Sequence, residues 1–136
     1  MIDSKVFLAK IANLNAANEF LQEKFDEYNV LPKERFQLEL AFEELFTNVA
    51  NYSYGEDTGK VEVGVGYEDD ECLLVIKISD KGVPFNPLDK EEPDLTLNAD
   101  DRPIGGLGIF MIKKNVDDIK YDYIDGENVV TLYKKI

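Results

Sequence analysis

Apolar and polar positions along this 136-residue chain follow two periods in turn, one helical and one of strands. Ser4 to Ile11 is a short apolar segment that reads as an edge strand. Asn13 or Asn15 can then cap a helix running to about Tyr28. Its stripe is Leu14, Ala17, Phe20, Leu21 and Phe25 at helical spacing, joined by the aliphatic stem of Lys24. Asn29 to Leu31 form a turn, and Pro32 stands where the first turn of a helix tolerates it. The helix that follows is expected from Pro32 to Ala50 or Tyr52, with Leu38, Phe42, Leu45 and Val49 as its apolar side.

After a turn-rich loop from Tyr54 to Gly59, the period changes to two. Lys60 to Tyr67 sets Val61, Val63, Val65 and Tyr67 against Glu62, Gly64 and Gly66. Glu71 to Ser79 sets Leu74, Ile76 and Ile78 against Leu73, Val75 and Lys77, so apolar throughout that a central strand is expected. Glu68-Asp69-Asp70 is the turn between them. Asn86 to Pro103 has no periodicity, the pattern of a lid or a disordered loop, and is acidic. A helix follows with Ile109, Ile112 and Val116 inward, then strands Ile119 to Ile124 and Val129 to Lys134 around a turn at Asp125-Gly126-Glu127-Asn128. The order predicts one α+β domain over residues 1–136, a two-layer α/β sandwich with helices on one face of a mixed, mainly antiparallel sheet.

Composition narrows the class. Hydrophobic residues make up 44%, enough for a core. A formal charge of −13 argues against nucleic acid and anionic membrane surfaces as partners. The single cysteine, Cys72, precludes an internal disulfide, and its place in an apolar strand predicts a core position. Met1 to Lys10 lacks the apolar core of a secretion signal, no run reaches membrane-spanning length, and a cytoplasmic protein is expected.

Three patches carry candidate chemistry. Glu44 and Asn48 are one helical turn apart and share a face, with Asn51 nearly in line, whereas Glu43 is rotated by about 100°. An amide oxygen beside a carboxylate suits a hard cation that also bridges phosphates, and the carboxylate can take a proton from an attacking hydroxyl. The same pair also fits a solvated helix face. Asp80 and Gly82 follow the central strand; the carboxylate can accept from an exocyclic amine, Gly82 leaves room for a flat ring, and Phe85 offers an apolar wall. An ordinary strand-ending turn has the same composition. Gly105, Gly106 and Gly108 precede a helix, where backbone N–H groups bind anions. Arg102 could reach a phosphate or pair with Asp100 or Asp101. Together the patches supply a metal and attacking group, a base and a phosphate tail.

With these three boxes in order, the chain resembles the GHKL ATPase superfamily over nearly its whole length, and more narrowly the bacterial anti-sigma factor serine/threonine kinases. Glu44-Leu45-Phe46-Thr47-Asn48 is similar to the N-box, Asp80-Lys81-Gly82-Val83-Pro84-Phe85 to the first glycine box, and Gly105-Gly106-Leu107-Gly108-Ile109 to the second. The resemblance implies a Bergerat-type fold that binds ATP with Mg²⁺, Glu44 as catalytic base, Asn48 as metal ligand and Asp80 reading adenine. It also implies that a second glycine box including Leu107 closes on the phosphates. Implied partners are a sigma factor and a STAS-type anti-anti-sigma protein phosphorylated on Ser or Thr, with the kinase a homodimer. An alternative is an ATP-gated protein-binding module without phosphotransfer, and a third is an interaction domain that binds no nucleotide. Some relatives carry His where this chain has Tyr52, and the absence of any His disfavours a sensor histidine kinase.

Overall fold

The computed structural model describes residues 2–54, 59–89 and 106–136, the side chains at 89, 106 and 107 excepted. Its sheet has five strands: β1 (Ile2–Leu8), β2 (Lys60–Glu68), β3 (Leu73–Asp80), β4 (Asp118–Ile124) and β5 (Glu127–Lys135). They lie in the order β1-β2-β3-β5-β4, so β3 is the centre, as its apolar run predicts. The sheet was expected to be mainly antiparallel; every neighbouring pair is antiparallel.

The helices α1 (Leu14–Glu27), α2 (Pro32–Asn48) and α3 (Gly106–Asn115) cover one face of this sheet. The period-two reading explains which one. Val61, Val63 and Val65 on β2 and Leu74, Ile76 and Ile78 on β3 point into the core, with Val63 opposite Ile78 and Val65 opposite Ile76. Val130 and Leu132 on β5 continue that layer. Against it pack Ala17, Leu21 and Phe25 of α1, Leu38, Phe42 and Leu45 of α2, and Ile109 and Ile112 of α3. Each such large side chain contributes about 1.5–3 kcal/mol by leaving water. Phe46, outside the apolar side read for α2, is also fully buried, its ring 5.8 Å from that of Phe42.

Local chemistry sets the ends. Pro32 occupies the first turn of α2. Asn29 takes the left-handed conformation (φ 56°) just past α1, and Val30 N–H closes the helix end on the Phe25 carbonyl at 2.9 Å. Asn13 adjoins α1 without capping it; its amide donates to the Leu8 carbonyl at 2.9 Å. Past Asn48, α2 widens into one turn of π-helix, Val49–Ser53. Asp125 (φ 52°) and Gly126 (φ 81°) form a two-residue turn with both residues left-handed, the hairpin geometry that Asp-Gly favours.

Two sequence expectations change. Cys72 is exposed, not core: the β2–β3 turn extends through it, and it adopts φ 53° ahead of the first strand residue, Leu73. The last hairpin turn is also tighter than expected. Glu127 and Asn128 belong to β5, which puts Asn128 directly opposite Asp80. The helix after the glycines is present, with Ile109, Ile112 and Val116 buried. Of the expected lid, residues 90–105 lie outside the described residues, and a short 3₁₀ turn occupies Pro87–Asp89.

Candidate nucleotide site

The end of β3 delivers Asp80 into the core layer, where it is 4% exposed. One of its oxygens, Oδ1, accepts from Gly82 N–H at 2.9 Å and from the Asn128 amide at 3.0 Å. The other, Oδ2, has no hydrogen-bond partner among the described residues. Beside it is a narrow cavity of about 20 Å³, roughly one water's worth. Its walls come from α2 (Leu45, Asn48), the π turn (Val49, Ser53), β3 (Ile78, Asp80), β5 (Asn128, Val130) and the segment after β3 (Phe85, Pro87). Asn48 and Asp80, 32 positions apart in sequence, therefore share one cleft. Its lining pairs apolar surfaces with a few polar groups, the make-up common to small-molecule sites.

Glu44 sits half-buried one turn before Asn48. Its carboxylate lies against the first turn of α3: a Cβ on Gly108 would stand 2.8 Å from Glu44 Oε2. The first and third candidate patches thus meet directly, and the missing side chain at Gly108 makes room for the carboxylate. Gly106 and Leu107 begin α3; Gly105 and Arg102 lie outside the described residues.

Two site expectations are placed differently. Gly82 does not border the cavity. A Cβ there would stand 2.1 Å from the Ser53 carbonyl oxygen, so backbone of the π turn fills the space expected for a ring. Val83 N–H donates to that same carbonyl at 2.8 Å, welding the glycine segment to the end of α2. Asn51 is exposed on the π turn and is not part of the cavity wall, because the wider turn breaks the 3.6-residue register with Glu44 and Asn48. The same turn presents Tyr52, which stacks on Phe85 with ring centroids 6.0 Å apart. Tyr54 follows; its hydroxyl donates to the Lys60 carbonyl and accepts from Lys81 N–H at 2.8 Å. Burial raises its pKa above the ordinary 10.0, keeping it a neutral donor.

The residue that sequence reasoning missed is Asn128. It is 2% exposed and lines the cavity. The sequence pattern puts it in the turn; the signal that corrects this is Asp125-Gly126, which as a two-residue hairpin moves Asn128 into the strand.

The Asn48 amide oxygen, on the cleft wall with the Glu44 carboxylate one helical turn before it, is a hard ligand that fits Mg²⁺. Among the described residues no group of three or more His, Cys, Asp or Glu could cage a metal, so such an ion would take its remaining ligands from phosphates and water.

The model of the histidine kinase-like ATPase domain matches residues 7–134, and the chain belongs to that family. Serine-protein kinase RsbW of Listeria monocytogenes is 34% identical over 98 residues, covering 68% of this chain and 61% of that protein. RsbW of Bacillus cereus is 31% identical over 97 residues, covering 68% and 59%. The chain thus spans less than two thirds of the length of these relatives. A crystal structure of the RsbU and RsbW domains of a Mycobacterium tuberculosis protein superposes with TM-score 0.70 at 15% identity, over 99% of this chain and 32% of that one, and shares the fold. The α+β architecture and the family read from the three boxes are both borne out. No helix among the described residues is long and apolar enough to cross a membrane.

Proposed function

We propose that this chain is an ATP-binding anti-sigma regulatory factor and serine/threonine protein kinase. It phosphorylates a STAS-type anti-anti-sigma partner and, as a cytoplasmic homodimer, holds a sigma factor. Kinship to proteins named serine-protein kinase RsbW supports the activity. The observation that carries the reading is the convergence of Asn48 and Asp80 on one cleft, with Glu44 one turn away against α3.

In this reading Asp80 Oδ2 accepts a hydrogen bond from the exocyclic amine of adenine. Ile78, Val130 and Leu45 meet the ring, and Phe85 closes its edge. The start of α3 faces the phosphates with free backbone N–H groups, and Gly105, Gly106 and Arg102 extend that contact. Asn48 would hold Mg²⁺ through its amide oxygen, and the ion would supply charge neutralisation for phosphoryl transfer. Glu44 takes the proton of the acceptor hydroxyl as its oxygen bonds to the γ-phosphorus. The bond from that phosphorus to the bridging oxygen breaks, and ADP leaves.

Single-turnover transfer from labelled ATP to a cognate STAS protein tests this. Glu44→Gln should keep ATP affinity within about threefold and slow transfer by at least a hundredfold, the usual weight of a general base. Transfer at the wild-type rate would remove Glu44 from that role. ATP-dependent partner binding without any transfer by the wild-type protein would favour the nucleotide-gated binding module.

A further inference from the structure

Asn128 has a use for every hydrogen-bonding position it owns. A carboxamide has two donor hydrogens and two acceptor lone pairs. Its Nδ2 donates to Asp80 Oδ1 at 3.0 Å and to the Val83 carbonyl at 2.8 Å. Its Oδ1 accepts from Phe85 N–H at 3.0 Å and from the Tyr121 hydroxyl of β4. Val83 offers only an acceptor and Phe85 only a donor, so the orientation of the amide is fixed by its partners. Nothing on Asn128 is left for a ligand, although it lines the cleft.

The effect falls on Asp80. With Gly82 N–H and Asn128 Nδ2 both on Oδ1, the carboxylate cannot rotate without losing two bonds, and Oδ2 is the oxygen left without a partner among the described residues on a side chain that lines the cleft. The backbone ladder already pairs Asp80 with Asn128, so the side-chain link is not needed to align the strands. We infer that Asn128, held by Tyr121, is the positioning residue for nucleobase choice: it presents one pure acceptor oxygen of Asp80 and so selects a 6-amino purine over a 6-oxo purine. A 6-oxo group would set oxygen against oxygen, whereas a 6-amino group donates. This rests on the proposed nucleotide cleft.

The test is calorimetric titration of the full chain with Mg-ATP and with Mg-ITP, which has a 6-oxo group in place of the amine. Wild-type protein should bind ATP at least tenfold tighter than ITP. Asn128→Ala should weaken ATP by about tenfold and leave ITP within about twofold, so the preference collapses. Tyr121→Phe, on an edge strand, should move the ratio the same way by about threefold, and it decides the matter if Asn128→Ala does not melt cooperatively. Equal loss of ATP and ITP in these variants would mean a merely structural residue and overturn the inference, as would no loss in either. A wild-type protein that fails to prefer ATP, or binds neither, removes the cleft reading itself before any substitution is made.

Discussion

Gly82→Ala is the substitution whose cost the structure states most directly. The added Cβ would lie 2.1 Å from the carbonyl oxygen, 2.5 Å from the carbonyl carbon and 2.6 Å from the Cβ of Ser53. Two of these are backbone atoms at the end of the π turn, so no rotamer change relieves the clash. The segments must separate by on the order of 1 Å, since ordinary contact is about 3.5 Å or more. That movement breaks the 2.8 Å bond from Val83 N–H to Ser53. Overpacking of this kind costs about 1–3 kcal/mol and the lost bond about 1 kcal/mol, giving roughly 2–4 kcal/mol. For a chain of this size that is a fall in melting temperature on the order of 10 °C. Gly64→Ala is the matched control: its Cβ would come closer than ordinary contact only to Ile2 Cγ2, at 2.6 Å, a methyl of an exposed edge-strand side chain that can turn away, while Ser4 Cβ and the Asp3 carbonyl lie at 3.5 and 3.7 Å. It should cost under about 1 kcal/mol. Urea melts of both variants, with Mg-ATP titration of each, make the comparison. Gly82→Ala should also lose ATP affinity, because Ser53 and Phe85 both border the cleft. If the two variants lose equal stability, or Gly82→Ala binds ATP normally, the account of the glycine segment is wrong.

Asp80→Asn keeps the shape of the side chain but puts a donor or a weaker acceptor toward the base, so ATP affinity should fall at least tenfold while the melting temperature stays within a few degrees; calorimetry decides. Gly108→Ala presses on Glu44 Oε2, the movable end of a side chain, so stability should change by less than about 1 kcal/mol while phosphotransfer slows at least tenfold; unchanged transfer would separate Gly108 from the carboxylate's placement. Tyr54→Phe removes the hydroxyl that joins the Lys60 carbonyl to Lys81 N–H and should cost about 1–2 kcal/mol in urea melts, with ATP affinity nearly unchanged.

Side-chain periodicity carried most of the fold. The alternation in β2 marked out Val61, Val63 and Val65, the valines that the structure buries, because a strand with one covered face has only one register that hides its valines; in β3 both faces are apolar, and Val75 on the other face is buried as well. The site was legible where its residues are held by regular structure: Glu44 and Asn48 by helix geometry, Asp80 by the end of a strand. It was not legible where tertiary packing overrides local pattern. Nothing in Val49 to Ser53 announces a π turn, and that turn moves Asn51 out of line and brings Tyr52 onto Phe85. Gly82 looked like room for a ligand because its true neighbour, Ser53, is distant in sequence. Cys72 looked like core because its apolar neighbours belong to the strand that begins one residue later. Asn128 depends on the type of one hairpin turn, since a single-residue slip there would carry it to the other face of the sheet.

The central claim is that Asn48, Asp80 and the start of α3 surround one nucleotide. A crystal structure of the protein with Mg²⁺ and a non-hydrolysable ATP analogue tests it most directly. The adenine should lie between Leu45 and Val130 with its amine on Asp80 Oδ2, and the metal should touch the Asn48 amide oxygen. Density for the base anywhere else, or an occupied cleft with Asp80 turned away from the ring, would contradict the account.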